Sequence, residues 1–179
     1  AGRWSNPIRQ WSEKDYSFKL YESGKSNPPY AYTVDGAYEA DIAYENFNAA
    51  GATVKIQGRN IHPGYAKGKM LNALRVATAI VETIPAAESP EQTEGYEGFY
   101  HLTDMQGTEE KTVLRYIIRD HDMEKFLAKK NEMVKICHSL NQKYGEDTVQ
   151  LQIQDSYYNM REKIEPCMFI IERAEKAMK

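Results

Sequence analysis

The chain has 179 residues, 41% hydrophobic and 27% charged, with 23 basic and 26 acidic side chains and a formal charge of −3. This composition fits one globular domain, or one domain with pieces of a second, and excludes a disordered or collagen-like chain. A near-balanced charge without a clustered basic face argues against nucleic acid as a partner, and no run approaches the ~20 apolar residues of a membrane helix.

The most apolar run, 77–84, is interrupted by Thr78 and Glu82. The first residues show no charged-then-apolar export pattern. The sequence does not begin with Met, so its natural start is expected upstream. Cys137 and Cys167 make no disulfide framework, which points to reduced thiols and a cytoplasmic setting.

Residues 1–30 are loop-like, with one short strand expected at 16–21 and another at 30–34 that ends on the turn pair Asp35-Gly36. Residues 41–50 read as extended. Ala52, Val54 and Ile56 then alternate with Thr53, Lys55 and Gln57, which predicts a half-buried strand over 52–58. A loop with His62-Pro63-Gly64 leads to a helix over 69–84, with Met70, Leu74, Ala77, Ile80/Val81 and Ile84 as its stripe and Pro85 as its stop. A loop carrying Glu88, Glu91, Glu94 and Glu97 precedes strands at 99–105 and 112–119. Leu114, Tyr116 and Ile118 share one face of the latter; Val113, Arg115, Ile117 and Arg119 share the other. A helix over 123–144 carries Phe126, Met133, Ile136/Cys137, Leu140 and Tyr144, and Gly145 closes it. Val149, Leu151 and Ile153 alternate with glutamines in a strand at 148–154. A turn-rich connection and a last helix at 165–179, with Pro166 in its first turn, follow.

The order β-α-β-β-α-β over 52–154 predicts an α+β, ferredoxin-like fold: a four-stranded antiparallel sheet with two helices on one face. Residues 30–45 and 155–179 read as the cut ends of another domain.

No two of the four histidines have a zinc-ligand spacing such as His-Glu-x-x-His, and no Walker loop or nucleophile elbow occurs. Four residues stand out as site candidates. His62 lies in a loop between a strand and a helix start, stiffened by Pro63 and followed by Gly64 and Lys67, where an anion can be stabilised; a plain turn is the other reading. Arg119 on a largely apolar strand face suits a carboxylate, or else a salt bridge to Asp120 or Asp122. His101 or Tyr100 on the neighbouring strand would share its surface. Asp35 follows a strand, either as a ligand or as an ordinary turn residue. Asn72 stands at a helix start and is a natural cap.

The strings Ala31-Tyr32-Thr33-Val34-Asp35-Gly36, Tyr44-Glu45-Asn46-Phe47-Asn48-Ala49-Ala50, Asn60-Ile61-His62-Pro63-Gly64, Asn72-Ala73-Leu74, Thr93 to Leu102, Tyr116-Ile117-Ile118-Arg119-Asp120 and Asp155-Ser156-Tyr157-Tyr158-Asn159-Met160 resemble, in order, the two-zinc, two-domain aminopeptidase/carboxypeptidase-G-like metallopeptidase family, and within it the tripeptide aminopeptidases. The resemblance covers 30–179 and leaves 1–29 unassigned. It implies a lid domain at 46–154, flanked by catalytic-domain stubs at 30–45 and 155–179. It implies Asp35 as a zinc ligand, His62 as a lid group that steadies the substrate oxyanion, and Arg119 as the group that binds the substrate carboxylate. Asn72 matches a family position and is assigned to substrate binding. Two zinc ions, tripeptide substrates and a homodimer through the lid follow from the same resemblance.

The departures are equally specific. The family's His-x-Asp motif, bridging aspartate, Glu-Glu pair and distal zinc histidine are absent, and Ala37 stands where the family has glycine. The expectation is a lid with catalytic stubs, inactive alone. A non-enzymatic ferredoxin-like association module is the alternative.

Overall fold

The computed structural model describes Tyr32 and residues 42–178. The strands expected at 16–21 and 30–34, and the Asp35-Gly36 turn, lie outside the described residues. The chain divides into one unit over Ala43–Pro166 and a second made of Ala1–Ile42 with Cys167–Lys179.

The larger unit runs β1 (Asn48–Gln57), α1 (Ala73–Thr83), β2 (Phe99–Gly107), β3 (Lys111–Asp120), α2 (Met123–Tyr144) and β4 (Val149–Tyr157). The strands form one antiparallel sheet in the order β2-β3-β1-β4. This is the ferredoxin-like α+β architecture that the alternating strands and helical stripes predict.

β1 is central, and its register organises both faces. Ala50, Ala52, Val54 and Ile56 point to the same side as Leu114, Tyr116 and Ile118 of β3 and Val149 and Leu151 of β4. Both helices cover that side, through Ala73, Val76, Ala77 and Ile80 of α1 and Phe126, Met133, Ile136 and Cys137 of α2. The other side stays uncovered within this unit and carries Arg119, Ile117, Arg115 and Val113, as the alternation in β3 predicts. A bulge between Leu102 and Asp104 interrupts the pairing of β2 with β3.

The structure places Ala77, Ile80 and Ile84 of the expected stripe in the core but corrects the start of α1 and the place of Leu74. The helix begins at Ala73, not at 69, because Arg59 and Leu71 exchange backbone hydrogen bonds (2.7 and 3.0 Å) and hold the chain extended up to the cap. Asn72 Oδ1 then accepts from Leu74 N and Arg75 N at 2.9 and 3.3 Å. Gly58 is required where the loop leaves β1, since a Cβ there would lie 2.3 Å from Glu109 O and 2.6 Å from Leu71 O. With the cap at Asn72, the small residues Ala73 and Ala77 face the sheet, and Leu74, expected in the stripe, is 36% exposed.

The segment after β4 also differs. β4 continues to Tyr157, into what reads from sequence as a turn-rich connection. The helix expected at 165–179 forms as α4 (Phe169–Met178) after a 3-10 turn over Glu165–Cys167, and a short α3 (Arg161–Ile164) precedes them, starting in what reads from sequence as connection. Pro166 lacks the amide that a helix continued from Arg161 would need at that position, so the helix cannot run through it. In the smaller unit, the Tyr32 hydroxyl donates to Ile170 O at 2.7 Å. No described helix is long and apolar enough to cross a membrane.

The phase of α1 is testable by paired substitutions. Ile80→Ala should cost about 2–5 kcal/mol in urea unfolding, because it empties a fully buried site. Leu74→Ala should stay within about 0.5 kcal/mol of the parent. Equal losses would contradict this orientation of the helix.

Candidate functional site

The candidates among the described residues, His62, Asn72 and Arg119, fall at two opposite ends of the sheet. At one end the chain leaves β1 and forms a short 3-10 turn over Pro63–Tyr65, with His62 as its cap. The Gly64 amide donates to His62 Nδ1 at 3.2 Å. With Nδ1 used as an acceptor, the proton of a neutral ring sits on Nε2. The ring is exposed, 5.7 Å from the Tyr65 ring centroid. It borders an open cleft of about 910 Å³, also lined by Arg59, Asn60, Met70 and Glu109. Arg59 Nε donates to Lys69 O at 2.6 Å, and Asn60 Nδ2 to Glu109 Oε1 at 3.4 Å, so the cleft wall is cross-braced.

At the other end, Arg119 pairs with Ala49 of β1 and Phe99 of β2 on the uncovered face. His101 pairs with Ile117 and therefore shares this face, whereas Tyr100 is in the core. Neither salt bridge expected for Arg119 forms. Its Nη1 donates to Ile118 O at 2.9 Å and Ala50 O at 3.4 Å, and the guanidinium lies over the Tyr157 ring, 5.4 Å from its centroid. The side chain is thus laid flat on the sheet, with its Nε and Nη2 donors free of these two bonds.

Several polar groups that the sequence reading did not single out surround this end. The Tyr96 hydroxyl donates to Glu45 Oε1 at 2.6 Å, and this bond holds the Glu45 carboxyl below the usual range against the opposing effect of burial. The same contact raises the Tyr96 phenol. His121 is packed between Phe47 and Tyr96, with centroids 4.0 and 4.6 Å away, and its Nδ1 is buried without a hydrogen-bond partner. Asp120 is buried beside it, and desolvation pushes its carboxyl up despite the Asp122 amide at 3.0 Å and Lys129 at 3.9 Å. Lys129 also pairs with Glu88 and so ties the acidic loop to α2. Gly98 must be glycine here, because a Cβ would lie 1.9 Å from Asp120 Oδ2.

The antiparallel register separates His62 from Arg119. Arg119 lies opposite Ala49, while His62 follows Gln57 at the far end of the same strand. Eight residues of strand span roughly 26 Å, whereas a tripeptide extends at most about 10 Å. Within one copy the two side chains therefore do not meet on one short peptide. Asn72 lies at the His62 end with its Oδ1 engaged as the cap of α1. Asp35 lies outside the described residues. Among the described residues, no three His, Cys, Asp or Glu side chains converge as a metal site needs, so this unit by itself does not fit a zinc ion.

The peptidase dimerisation domain model matches residues 44–145. Proteins named Peptidase T from Geobacillus kaustophilus and Clostridium perfringens are 52% and 55% identical over 158 and 150 residues, which is 88% and 84% of this chain but only 38% and 37% of theirs. The chain thus spans well under half the length of these relatives. Among solved structures, an aminopeptidase PepT from Bacillus cereus and a tripeptidase from Staphylococcus aureus each superpose with a TM-score of 0.55 at 15% identity, over 65% of this chain and 31% of theirs. At that identity the superposition speaks for the fold. The match over more than half of its length shows that the chain belongs to the M20 peptidase dimerisation domain family.

Proposed function

We propose that this chain supplies the lid of a zinc-dependent tripeptide aminopeptidase of the cytoplasm, which removes the N-terminal residue from tripeptides. The observation that carries this reading is the identity of about half of all positions with proteins named Peptidase T, over 84–88% of the chain. In this reading 46–154 is the lid, while 30–45 and 155–179 lead into a catalytic domain that binds zinc, with Asp35 as one ligand. Nothing among the described residues would hold zinc, so it takes no part in the steps assigned to this module.

His62 donates from Nε2 to the scissile carbonyl oxygen as negative charge develops there, an electrostatic role. Arg119 holds the peptide's terminal carboxylate through its remaining N–H donors, with the Tyr157 ring as its floor. Asn72 contributes by fixing the start of α1 behind the His62 loop.

Two copies reconcile these roles with the separation of the two side chains. A twofold axis normal to the sheet reverses strand direction, so edge-to-edge pairing brings His62 of one copy to the sheet end that carries Arg119 of the other. The assignment of this domain type to dimerisation supports such a homodimer.

Four measurements test this reading. The 179-residue chain with added zinc should release no N-terminal amino acid from tripeptides; zinc-dependent turnover by the chain alone would overturn its role as a lid. In the full-length enzyme, His62→Ala should lower kcat by about 100- to 1000-fold with zinc retained. Arg119→Ala should raise KM, and Asp35→Ala should lose metal first. At tripeptide concentrations well below KM, dimers mixed from His62→Ala and Arg119→Ala subunits should turn over faster than either variant alone, and no gain would rule out the two-copy arrangement. Nitrogen-15 spectra of the chain at neutral pH should show His62 as the Nε2–H tautomer; an Nδ1–H ring would remove its assigned donor.

A further inference from the structure

The chain passes into the sheet through 45–48 and out of it through 157–161. Side chains from both passages bind one another at this point. Met160 N donates to Asn46 Oδ1 at 2.8 Å, and Asn46 N donates to Asn159 Oδ1 at 3.2 Å. Asn159 N donates to Asn48 Oδ1 at 2.9 Å. The two asparagines nearest the sheet also anchor the pair to the end of β3. Asn48 Nδ2 donates to Asp120 O and His121 O at 3.1 and 3.0 Å, and Asn159 Nδ2 donates to His121 O at 3.3 Å.

Asn48 is 1% exposed, so an unpaired amide there would be costly, and each of its polar atoms is engaged. Outside this ladder, Glu45 receives the Tyr96 hydroxyl and lies 3.8 Å from Arg161, which joins the entering passage, the leaving passage and the acidic loop.

We propose that Asn46, Asn48 and Asn159 form a clasp that welds the two passages into one rigid stem. Any swing of the sheet module against the rest of a longer chain then pivots outside 45–161, not at the edge of the sheet. The consequence for lid motion rests on the reading of this module as a lid. The clasp itself is a property of the chain and is measured without activity, so the two can fail separately.

Amide hydrogen exchange on the 179-residue chain, resolved by residue, tests the clasp. The amides of Asn46, Asn159 and Met160 should be protected in the parent. Asn159→Ala should speed exchange at Asn46 and Met160 by about tenfold or more, while Val54 and Leu114 in the sheet centre keep the parent rates. Asn46→Ala, which removes the acceptor of the Met160 amide directly, should free Met160 in the same local way and keeps the test decisive if the Asn159 variant unfolds. Unprotected Asn159 and Met160 amides in the parent would overturn the proposal. So would variants that accelerate Val54 and Leu114 as much as Met160, because that pattern belongs to general stability and not to a clasp.

Discussion

The pairing of β1 with β3 is the constraint on which the rest depends. Ala49 lies opposite Arg119 and Gln57 opposite Lys111, with no irregularity between them. A slip by one residue would send Val54 and Ile56 to the uncovered face, so burial of alternate residues fixes the register. The same register fixes which side chains share a surface. It holds the His62 loop at the far end of the strand from Arg119, while the pairing of β2 with β3 keeps His101 with Arg119 and Tyr100 in the core.

The clasp shows why particular residue types stand where the chain enters and leaves. Asn48 accepts from one amide and donates to two carbonyls at once. Aspartate would accept but not donate, leaving the carbonyls of Asp120 and His121 without these donors, and would add charge in a desolvated place. Leucine would satisfy neither side. The Asp120 carboxylate is tolerated nearby because the Asp122 amide and Lys129 oppose its desolvation. The backbone fits against it only because Gly98 has no side chain. Asparagines, glycine and buried carboxylate thus answer to one crowded junction.

Much of this was legible in the sequence, and the failures have physical causes. The alternation Val149, Leu151, Ile153 and the split faces of β3 identify strands because one face is buried and the other is not. Leu74 alone breaks the α1 stripe: it is strongly apolar and at helical spacing from Ala77, yet it is exposed. The cap at Asn72 and the close approach allowed by Ala73 and Ala77 outweigh its preference for the core. His62 and Arg119 were visible as chemistry, one in a stiffened loop and one on a strand face. Their separation was not, since it depends on strand register. The clasp left no periodic signal, because its bonds join residues 111–114 positions apart.

Separation within one copy, and the meeting between two that we propose, follow from one geometric fact. In the proposed dimer, a normal twofold inverts strand direction whichever outer strand is paired. Through β4 or through β2, four strand spacings separate Arg119 on β3 from the β1 strand of the second copy, roughly 19 Å. In the proposed dimer an extended tripeptide of about 10 Å spans roughly half of that gap, and the connection from β1 to α1 that carries His62 would have to supply the rest. Choice of edge is therefore free as far as the reach of the two groups is concerned, and must be set by the edges themselves. Both edges carry a bulge and an ion pair, Asp104–Arg115 at 2.8 Å on β2 and Lys130–Asp155 at 2.8 Å on β4, so these features do not separate them. β4 presents Gln150, Gln152 and Gln154 on the uncovered face, and the groove between it and α2 is lined by Val134, Leu151 and Ile153. What distinguishes β4 is that groove, which a sheet continued through this edge in the proposed dimer would bury as it brings the two ends of the site together.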